Sequence, residues 1–260
     1  MQHFFVEPGM IGEKEILILG EDVNHIKNVL RMKPGEVISV GNGVSDDEYR
    51  CEITEITADK VRAKIMFIKK DGVELPAEIT LFQGLPKADK MELIIQKSVE
   101  LGACGIVPVS TKRAVGKLDE KKAKNKTERW RSISESAAKQ SKRAVIPQIS
   151  EPVSFKNAID MAKEMDLCVI PYELEEGMDG AALFLEEVRA LAGKYLQKEG
   201  GASKPKIGIM IGPEGGFEEE EVEIALQNGI RPISLGRRIL RTETAGMALI
   251  SVLMFSLETI

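Results

Sequence analysis

The sequence predicts an α/β protein in which a small β-barrel precedes a mostly parallel sheet covered by helices. Three observations predict it. Residues 1 to about 70 carry short alternating apolar runs separated by turn signals. From Glu78 onward, apolar β-rich runs alternate with helix-period segments, as in strands joined by crossover helices. Near the end, two apolar runs, residues 207–211 and 233–235, each stop at a glycine-bearing loop that leads into a helix. Open α/β sheets hold ligands at such strand ends.

In chain order, strands are expected over residues 3–6, 16–19, 36–40, 48–56 and 61–68, with Pro8-Gly9, Pro34-Gly35 and Asn42-Gly43 marking turns. A short helix is expected over 22–31. Several short strands with turns imply a small barrel, and Lys69-Lys70-Asp71-Gly72 reads as the linker that separates residues 1–72 from 73–260. Beyond it come a strand at 79–82 and an amphipathic helix at 88–101 carrying Met91, Ile94, Ile95 and Val99. A strand at 106–109, a helix at 128–142, a strand at 167–171 and a helix at 181–196 follow. Gly200-Gly201-Ala202-Ser203 reads as a flexible loop. The last helix, residues 242–257, is apolar on more than one face, so its own sheet or a partner must cover it.

Composition sets limits on function. With 260 residues, 43% hydrophobic and 30% charged, the chain has the make-up of a globular protein of one large or two ordinary domains. No stretch reaches the roughly 18 apolar residues of a membrane span, and no basic-then-apolar opening marks secretion. Cys51, Cys104 and Cys168 are scattered without metal spacing, and His3 and His25 are the only histidines. The cysteines read as buried thiols in a reducing compartment, and the scarcity of histidine leaves little for a zinc site, in a cytoplasmic, metal-free protein. The net charge of −5 is unevenly spread. Residues 112–143 hold twelve Lys/Arg against four Asp/Glu, whereas residues 173–187 hold six acids and no base. Such asymmetry points to a polyanionic partner such as RNA.

The loop Gly212-Pro213-Glu214-Gly215-Gly216-Phe217 invites a phosphate reading, because helix N-termini bind anions. Glu214 and the four glutamates 218–221 argue against it: five carboxylates repel a polyphosphate, and no Lys follows the glycines as a P-loop requires. A ligand with a cationic centre fits better, and a plain tight turn before a charged helix start stays open as the alternative.

Together, Gly212-Pro213-Glu214-Gly215-Gly216 and Leu235-Gly236-Arg237-Arg238-Ile239-Leu240-Arg241-Thr242-Glu243-Thr244-Ala245 resemble the C-terminal signature of the RsmE family. These are bacterial enzymes of the SPOUT superfamily that methylate N3 of a uridine in 16S ribosomal RNA. Further words match in order, among them Gly84-Leu85-Pro86-Lys87, Asp89-Lys90, Gln96-Lys97, Glu100-Leu101-Gly102, Trp130 and Gln140-Ser141. The first domain resembles a PUA-like RNA-binding barrel through Phe4-Phe5-Val6, His25, Val29-Leu30-Arg31 and Gly35-Glu36. Two departures stand out. His3 lies where relatives commonly have Arg, and Ser136-Ala137-Ala138-Lys139 where they tend to read Glu-Ala-Ala-Glu.

The resemblance implies a SPOUT fold with a C-terminal trefoil knot, a homodimer, S-adenosyl-L-methionine as cofactor and 16S rRNA of the small subunit as substrate. Cofactor contacts then fall on Ile211, Gly212, Pro213, Glu214, Gly215, Gly216, Leu235, Gly236, Ile239, Leu240, Thr244 and Ala245. Arg31, Lys87, Arg113, Lys121, Lys122, Lys124 and Arg143 are the expected RNA contacts. Negative charge develops on uridine as N3 loses its proton, so an arginine aimed at the carbonyl oxygens would stabilise the transition state. Arg241 is the first candidate, with Arg113 and Arg143 as possible contributors. Glu243 makes a poor base, since a carboxylate in a first helical turn is stabilised in its ionised form. A non-catalytic RNA-binding or ribosome-assembly protein on the same fold is the alternative, and a small-molecule nucleotide enzyme a third.

Overall fold

The computed structural model describes residues 1–70, 72–114, 119–197 and 203–260. The centre of the linker expected at 69–72 and most of the loop expected at 200–203 lie outside these residues. The chain separates into two compact units, Met1–Glu74 with Ala138–Ile146, and Leu75–Ala137 with Pro147–Ile260. A single boundary at 72/73 leaves out the return of Ala138–Ile146 to the first unit.

In the first unit β1 (His3–Phe5), β2 (Glu15–Leu19), β3 (Val37–Gly41), β4 (Glu48–Ile56) and β5 (Lys60–Lys69) form one sheet in the order β1-β3-β4-β5-β2. The barrel is therefore incomplete, since no ladder joins β1 to β2 among the described residues. Alternation explains the core: Ile16, Ile18, Ile38, Val40, Ile53, Val61 and Ala63 all point inward and are fully buried. Val23 and Ile26 join that cluster from α1 (Glu21–Asn24) and the π-helical turn His25–Val29 behind it, where the sequence suggested one continuous helix. His3 is buried with Nδ1 2.9 Å from Ser39 Oγ, and burial lowers its pKa. It sits inside the sheet rather than facing a polyanion.

The returning segment is tied in by polar groups. Ile146 donates its backbone N–H to Gly43 O (2.9 Å), and Lys139 Nζ reaches Asp22 Oδ2 at 3.2 Å. Arg143 is only 3% exposed and is ion-paired with the equally enclosed Glu74, its Nε 3.1 Å from Oε1. A buried pair of this kind is costly to break, by about 3–5 kcal/mol, because the remaining charge has no water.

The second unit contains β6 (Glu78–Gly84), α2 (Lys90–Glu100), β7 (Gly105–Ser110), α3 (Glu120–Ser141), β8 (Gln148–Ile149), β9 (Val153–Ser154) and α4 (Phe155–Ala162). It continues with β10 (Leu167–Pro171), α5 (Asp179–Leu196), β11 (Lys206–Ile211), α6 (Glu219–Gln227), β12 (Arg231–Ile233) and α7 (Thr242–Leu257). The sheet order is β12-β10-β11-β6-β7-β8, with β9 also on β7, and every pairing is parallel. All strands thus point their C-terminal ends to one edge, with β11 and β6 in the middle. Phe82, Val107, Ile170 and Met210 face α4 and α6 through Ala158, Ile159, Val222 and Ala225. The other side is covered by α7, whose Gly246, Leu249, Ile250, Leu253 and Leu257 are buried. Its outer face leaves Val252 47% and Phe255 71% exposed.

Three differences from the sequence reading have local causes. Helix α3 starts at Glu120 instead of 128, because Asp119 Oδ1 accepts the Lys122 N–H at 2.8 Å as an N-cap. Helix α4, for which the sequence analysis offers no element, is capped by Ser154, whose Oγ accepts the Asn157 N–H. Strand β12 covers residues 231–233 instead of 233–235: its partner among the described residues, β10, stops at Pro171, and Pro232 is tolerated because β12 is an edge. Cys51 and Cys168 are buried thiols pushed up to about 12, while Cys104 is only partly covered. Among the described residues no helix is long and apolar enough to cross a membrane, and no group of three or more His, Cys, Asp or Glu gathers as a metal site.

Candidate active site

Four parallel strands end at one edge, and the segments that follow them enclose a cavity of about 920 Å³. Its walls are Pro171 to Met178 after β10, Ile211 to Phe217 after β11, Ser234 to Thr242 after β12, and Lys90 from the segment after β6. This is where an open α/β sheet binds ligands.

Close backbone approach shapes the floor. A Cβ on Gly84, the last residue of β6, would lie 2.6 Å from both the nitrogen and Cδ of Pro213, so only glycine lets β6 meet the 212–216 loop. That loop closes through Gly216 N–H on Pro213 O (2.9 Å), with Gly216 at φ +69°. A buried network fixes it to the next wall. Gln83 Nε2 donates to Gly84 O and to Thr242 Oγ1 (both 2.9 Å), and Thr242 Oγ1 donates to Gly212 O at 2.6 Å. Gln83 Oε1 is buried without a hydrogen-bond partner.

The acids are less crowded on the pocket than the sequence suggests. Glu218 takes a bidentate contact from Arg113 (2.8 and 3.1 Å), which holds its carboxyl below the usual range. Glu220 pairs with Lys112, and the buried Glu221 accepts the backbone N–H groups of Lys112 (2.9 Å) and Glu218 (3.0 Å) as part of a capping box. The row of glutamates is thus largely engaged by residues 112 and 113. The carboxylates that do line the cavity are Glu214 and, from the loop after β10, Glu173, Glu175 and Glu176. Sequence reasoning missed that third wall as part of the site, although its acid run was the visible signal.

Glu214 and Glu243 are bridged by Lys90, whose Nζ lies 3.1 Å from an oxygen of each. Burial alone would raise the Glu214 carboxyl, but its own backbone N–H, Lys90 and the Lys87 N–H outweigh it and hold the group low. The Glu243 carboxyl is also held low, first by its own backbone N–H, against a rise from burial, and further by Lys90. Both therefore stay ionised and are weak bases at neutral pH.

Most of the expected cofactor residues converge. Ile211, Gly212, Pro213, Glu214, Gly215, Gly216, Leu235, Gly236, Ile239, Leu240 and Ala245 all line the cavity, as does Arg241. Thr244 does not; it is exposed in the first turn of α7, and Thr242 takes the inward place. Ile239 is 89% exposed at the rim. Arg237, Arg238 and Arg241 line the same rim, are exposed, and make no side-chain hydrogen bond or ion pair among the described residues. The loop after β10 adds Glu173, Glu175 and Glu176, so the cavity lining carries both signs of charge.

The expected RNA residues divide. Arg31 (φ +53°), Lys87, Lys121, Lys122 and Lys124 are exposed. Arg113 is exposed but committed to Glu218 and to Gly215 O (2.8 Å), so it clamps the loop. Arg143 is a correction: its ion pair with Glu74 encloses it, and it offers no charge to a polyanion.

A cavity of this volume suits a ligand of cofactor size. Glycine-lined backbone, apolar Ile211, Leu235, Leu240 and Ala245, and ionised carboxylates fit an adenosine that carries a cationic centre. S-adenosyl-L-methionine meets that description.

Comparison with known proteins agrees with this geometry. Residues 73–254 match the RNA methyltransferase domain family, and residues 18–66 match the RNA methyltransferase PUA domain family. The ribosomal RNA small subunit methyltransferase E of Bacillus subtilis is 39% identical over 99% of this chain and 98% of its own. A crystal structure of the Neisseria gonorrhoeae protein of that name, bound to S-adenosyl methionine, superposes with a TM-score of 0.80 at 28% identity, covering 98% of this chain and 97% of the other. A methyltransferase from Legionella pneumophila in complex with the same cofactor superposes at 0.78 with 30% identity, covering 97% and 96%. Matched over residues 73–254 and 18–66 and along nearly its whole length by a relative 39% identical, the chain belongs to the ribosomal RNA small subunit methyltransferase E family of RNA methyltransferases.

Proposed function

We propose that the protein methylates N3 of a uridine in 16S rRNA, using S-adenosyl-L-methionine and acting on the small ribosomal subunit in the cytoplasm. The observation that carries this reading is the cavity, lined by glycine-bearing loops, by Glu173, Glu175, Glu176 and Glu214, and by three arginines that make no side-chain hydrogen bond or ion pair among the described residues. When bound, the cofactor supplies an activated methyl group on a sulfonium. The loops after β11 and β12 hold the adenosine through backbone groups that their glycines leave accessible, with Leu235 and Leu240 against the base. Arg241 faces the carbonyl oxygens beside N3 and stabilises the negative charge that grows there as the proton leaves. Glu243 keeps its own charge and orders the pocket instead of taking that proton. The non-catalytic alternative is weaker, because an RNA-binding surface needs neither the close Gly84–Pro213 approach nor the Gln83–Thr242–Gly212 network. Transfer of labelled methyl to unmodified small subunits tests the reading.

RNA docking, in this account, falls to the first unit and to the basic start of α3, where Lys121, Lys122 and Lys124 are exposed. Each phosphate contact contributes about −0.7 to −0.9 to the slope of log affinity against log salt. Reversing all three lysines to Glu is expected to weaken rRNA binding and flatten that slope by about 2, with cofactor affinity unchanged. An unaltered slope would remove this surface from the docking site.

The reading also includes the C-terminal trefoil knot and a homodimer formed through α7. Support for the dimer comes from exposed Val252 and Phe255 on a helix that is apolar nearly all round. Light scattering is expected to give twice the 28.6 kDa chain mass at micromolar concentration, and Phe255→Glu to give the monomer. A wild-type monomer would refute it.

A further inference from the structure

Lys90 breaks two local rules at once. It is the first residue of α2, where a cation opposes the positive end of the helix dipole. The turn that delivers it puts Ala88 at φ +54°, a left-handed conformation that costs a residue with a Cβ. Asp89, at the cap position, makes no side-chain capping bond to offset this. Local costs concentrated at one place mark function more often than stability.

Those costs bring the Lys90 ammonium between two pocket walls. Its Nζ lies 3.1 Å from Glu214 Oε1, in the loop after β11, and 3.1 Å from Glu243 Oε2, in the first turn of α7. Glu214 is gripped from the same segment a second time, by the Lys87 N–H at 3.1 Å from each carboxylate oxygen. The strap from Lys87 to Lys90 thus fastens the 212–216 loop to the start of α7, in addition to the buried Gln83–Thr242–Gly212 network. Lys90 also lines the cavity, with its side chain 30% exposed, so the brace sits at the ligand's edge.

We propose that Lys90 is a positioning residue for the cofactor: by bridging Glu214 and Glu243 it holds the two pocket loops in their binding arrangement. The inference rests on the reading of the cavity as the S-adenosylmethionine site. The bridge stays charged at neutral pH, because the two carboxylates raise the lysine's pKa and the lysine helps to hold both of theirs low. It therefore acts as a brace and not as an acid or base.

Calorimetry with S-adenosylmethionine on the full-length protein tests this. Lys90→Met, which keeps the stem and removes the charge, is expected to weaken binding about tenfold, as loss of two partly exposed ion pairs would. Lys90→Arg is expected to restore most of it. In methyl transfer the loss should fall on the KM for the cofactor more than on kcat. Glu243→Gln removes one arm and is expected to cost about threefold alone but nothing further in the Lys90→Met background, since the arm is already released. Equal affinity in wild type and Lys90→Met overturns the proposal while leaving the cofactor site intact, as does full additivity of the two changes. A wild-type protein that binds no S-adenosylmethionine overturns both the proposal and the reading beneath it. If Lys90→Met does not fold, Glu243→Gln and Lys90→Arg still decide: unchanged affinity in Glu243→Gln refutes the brace.

Discussion

Arg241→Ala is expected to slow methyl transfer to unmodified small subunits by about 10²–10³-fold, the usual effect of removing one donor to a developing oxyanion. Affinity for S-adenosylmethionine should change by no more than about threefold. The side chain is exposed at the N-cap of α7 and lines the cavity, and its influence on a neighbour is the charge it adds near Glu243, whose carboxyl it helps to hold low. The competing role is a phosphate clamp, and the two are separable. A clamp would lower rRNA affinity and flatten the salt slope by about 1 while the rate at saturating RNA stayed near wild type. Single-turnover kinetics at saturating subunits, together with a salt titration of binding, distinguish the outcomes.

Gly84→Ala is expected to be nearly as damaging, for a purely steric reason. The new Cβ would lie 2.6 Å from the backbone nitrogen and ring Cδ of Pro213 and 3.0 Å from the carbonyl carbon of Gly212. None of these is the flexible tip of a side chain, so the whole 212–216 loop must move off β6. Overpacking of this kind costs roughly 1–3 kcal/mol of stability, and the displaced loop should bind S-adenosylmethionine at least about 100-fold more weakly, since loop position governs binding. Gly193→Ala is the matched control. That glycine lies within α5 with nothing within 4 Å of its Cβ position, so the change should raise stability by up to about 1 kcal/mol. Calorimetry and thermal melts on the two variants make the comparison. Wild-type affinity in Gly84→Ala would mean that the close approach is not needed for the site.

How much of this was legible depended on whether the cause was local. Strand β10 and helix α7 fall where the sequence placed them, because a short apolar run bounded by Pro171 and a sustained helical run after Arg241 are unambiguous by period and length. The two glycine loops were visible for the same reason. Even α4 was written locally, in the Ser154 cap and the spacing of Phe155, Ala158, Ile159 and Ala162. What was not legible needed distant partners. Arg143 looks like any member of a basic run until Glu74, far away in sequence, encloses it. Glutamates 218–221 read as a repulsive cluster until the residues after β7, Lys112 and Arg113, come to meet them. Lys90 gave no sign of its role, since Glu214 and Glu243 reach it only through the parallel order of β6 and β11. The incomplete barrel, likewise, depends on pairing order and not on strand propensity.

Methyl transfer to a uridine of 16S rRNA is proposed for the cavity at the ends of β6, β10, β11 and β12. The most direct measurement is to incubate the protein with methyl-labelled S-adenosylmethionine and unmodified small subunits, then digest the rRNA and identify the labelled nucleoside and its position. Stoichiometric label in one 3-methyluridine of 16S rRNA is expected, with labelling strongly reduced in Gly84→Ala at limiting cofactor and slowed by about 10²–10³-fold in Arg241→Ala. Absence of label from subunits that the protein nonetheless binds would contradict it, as would label on another nucleoside.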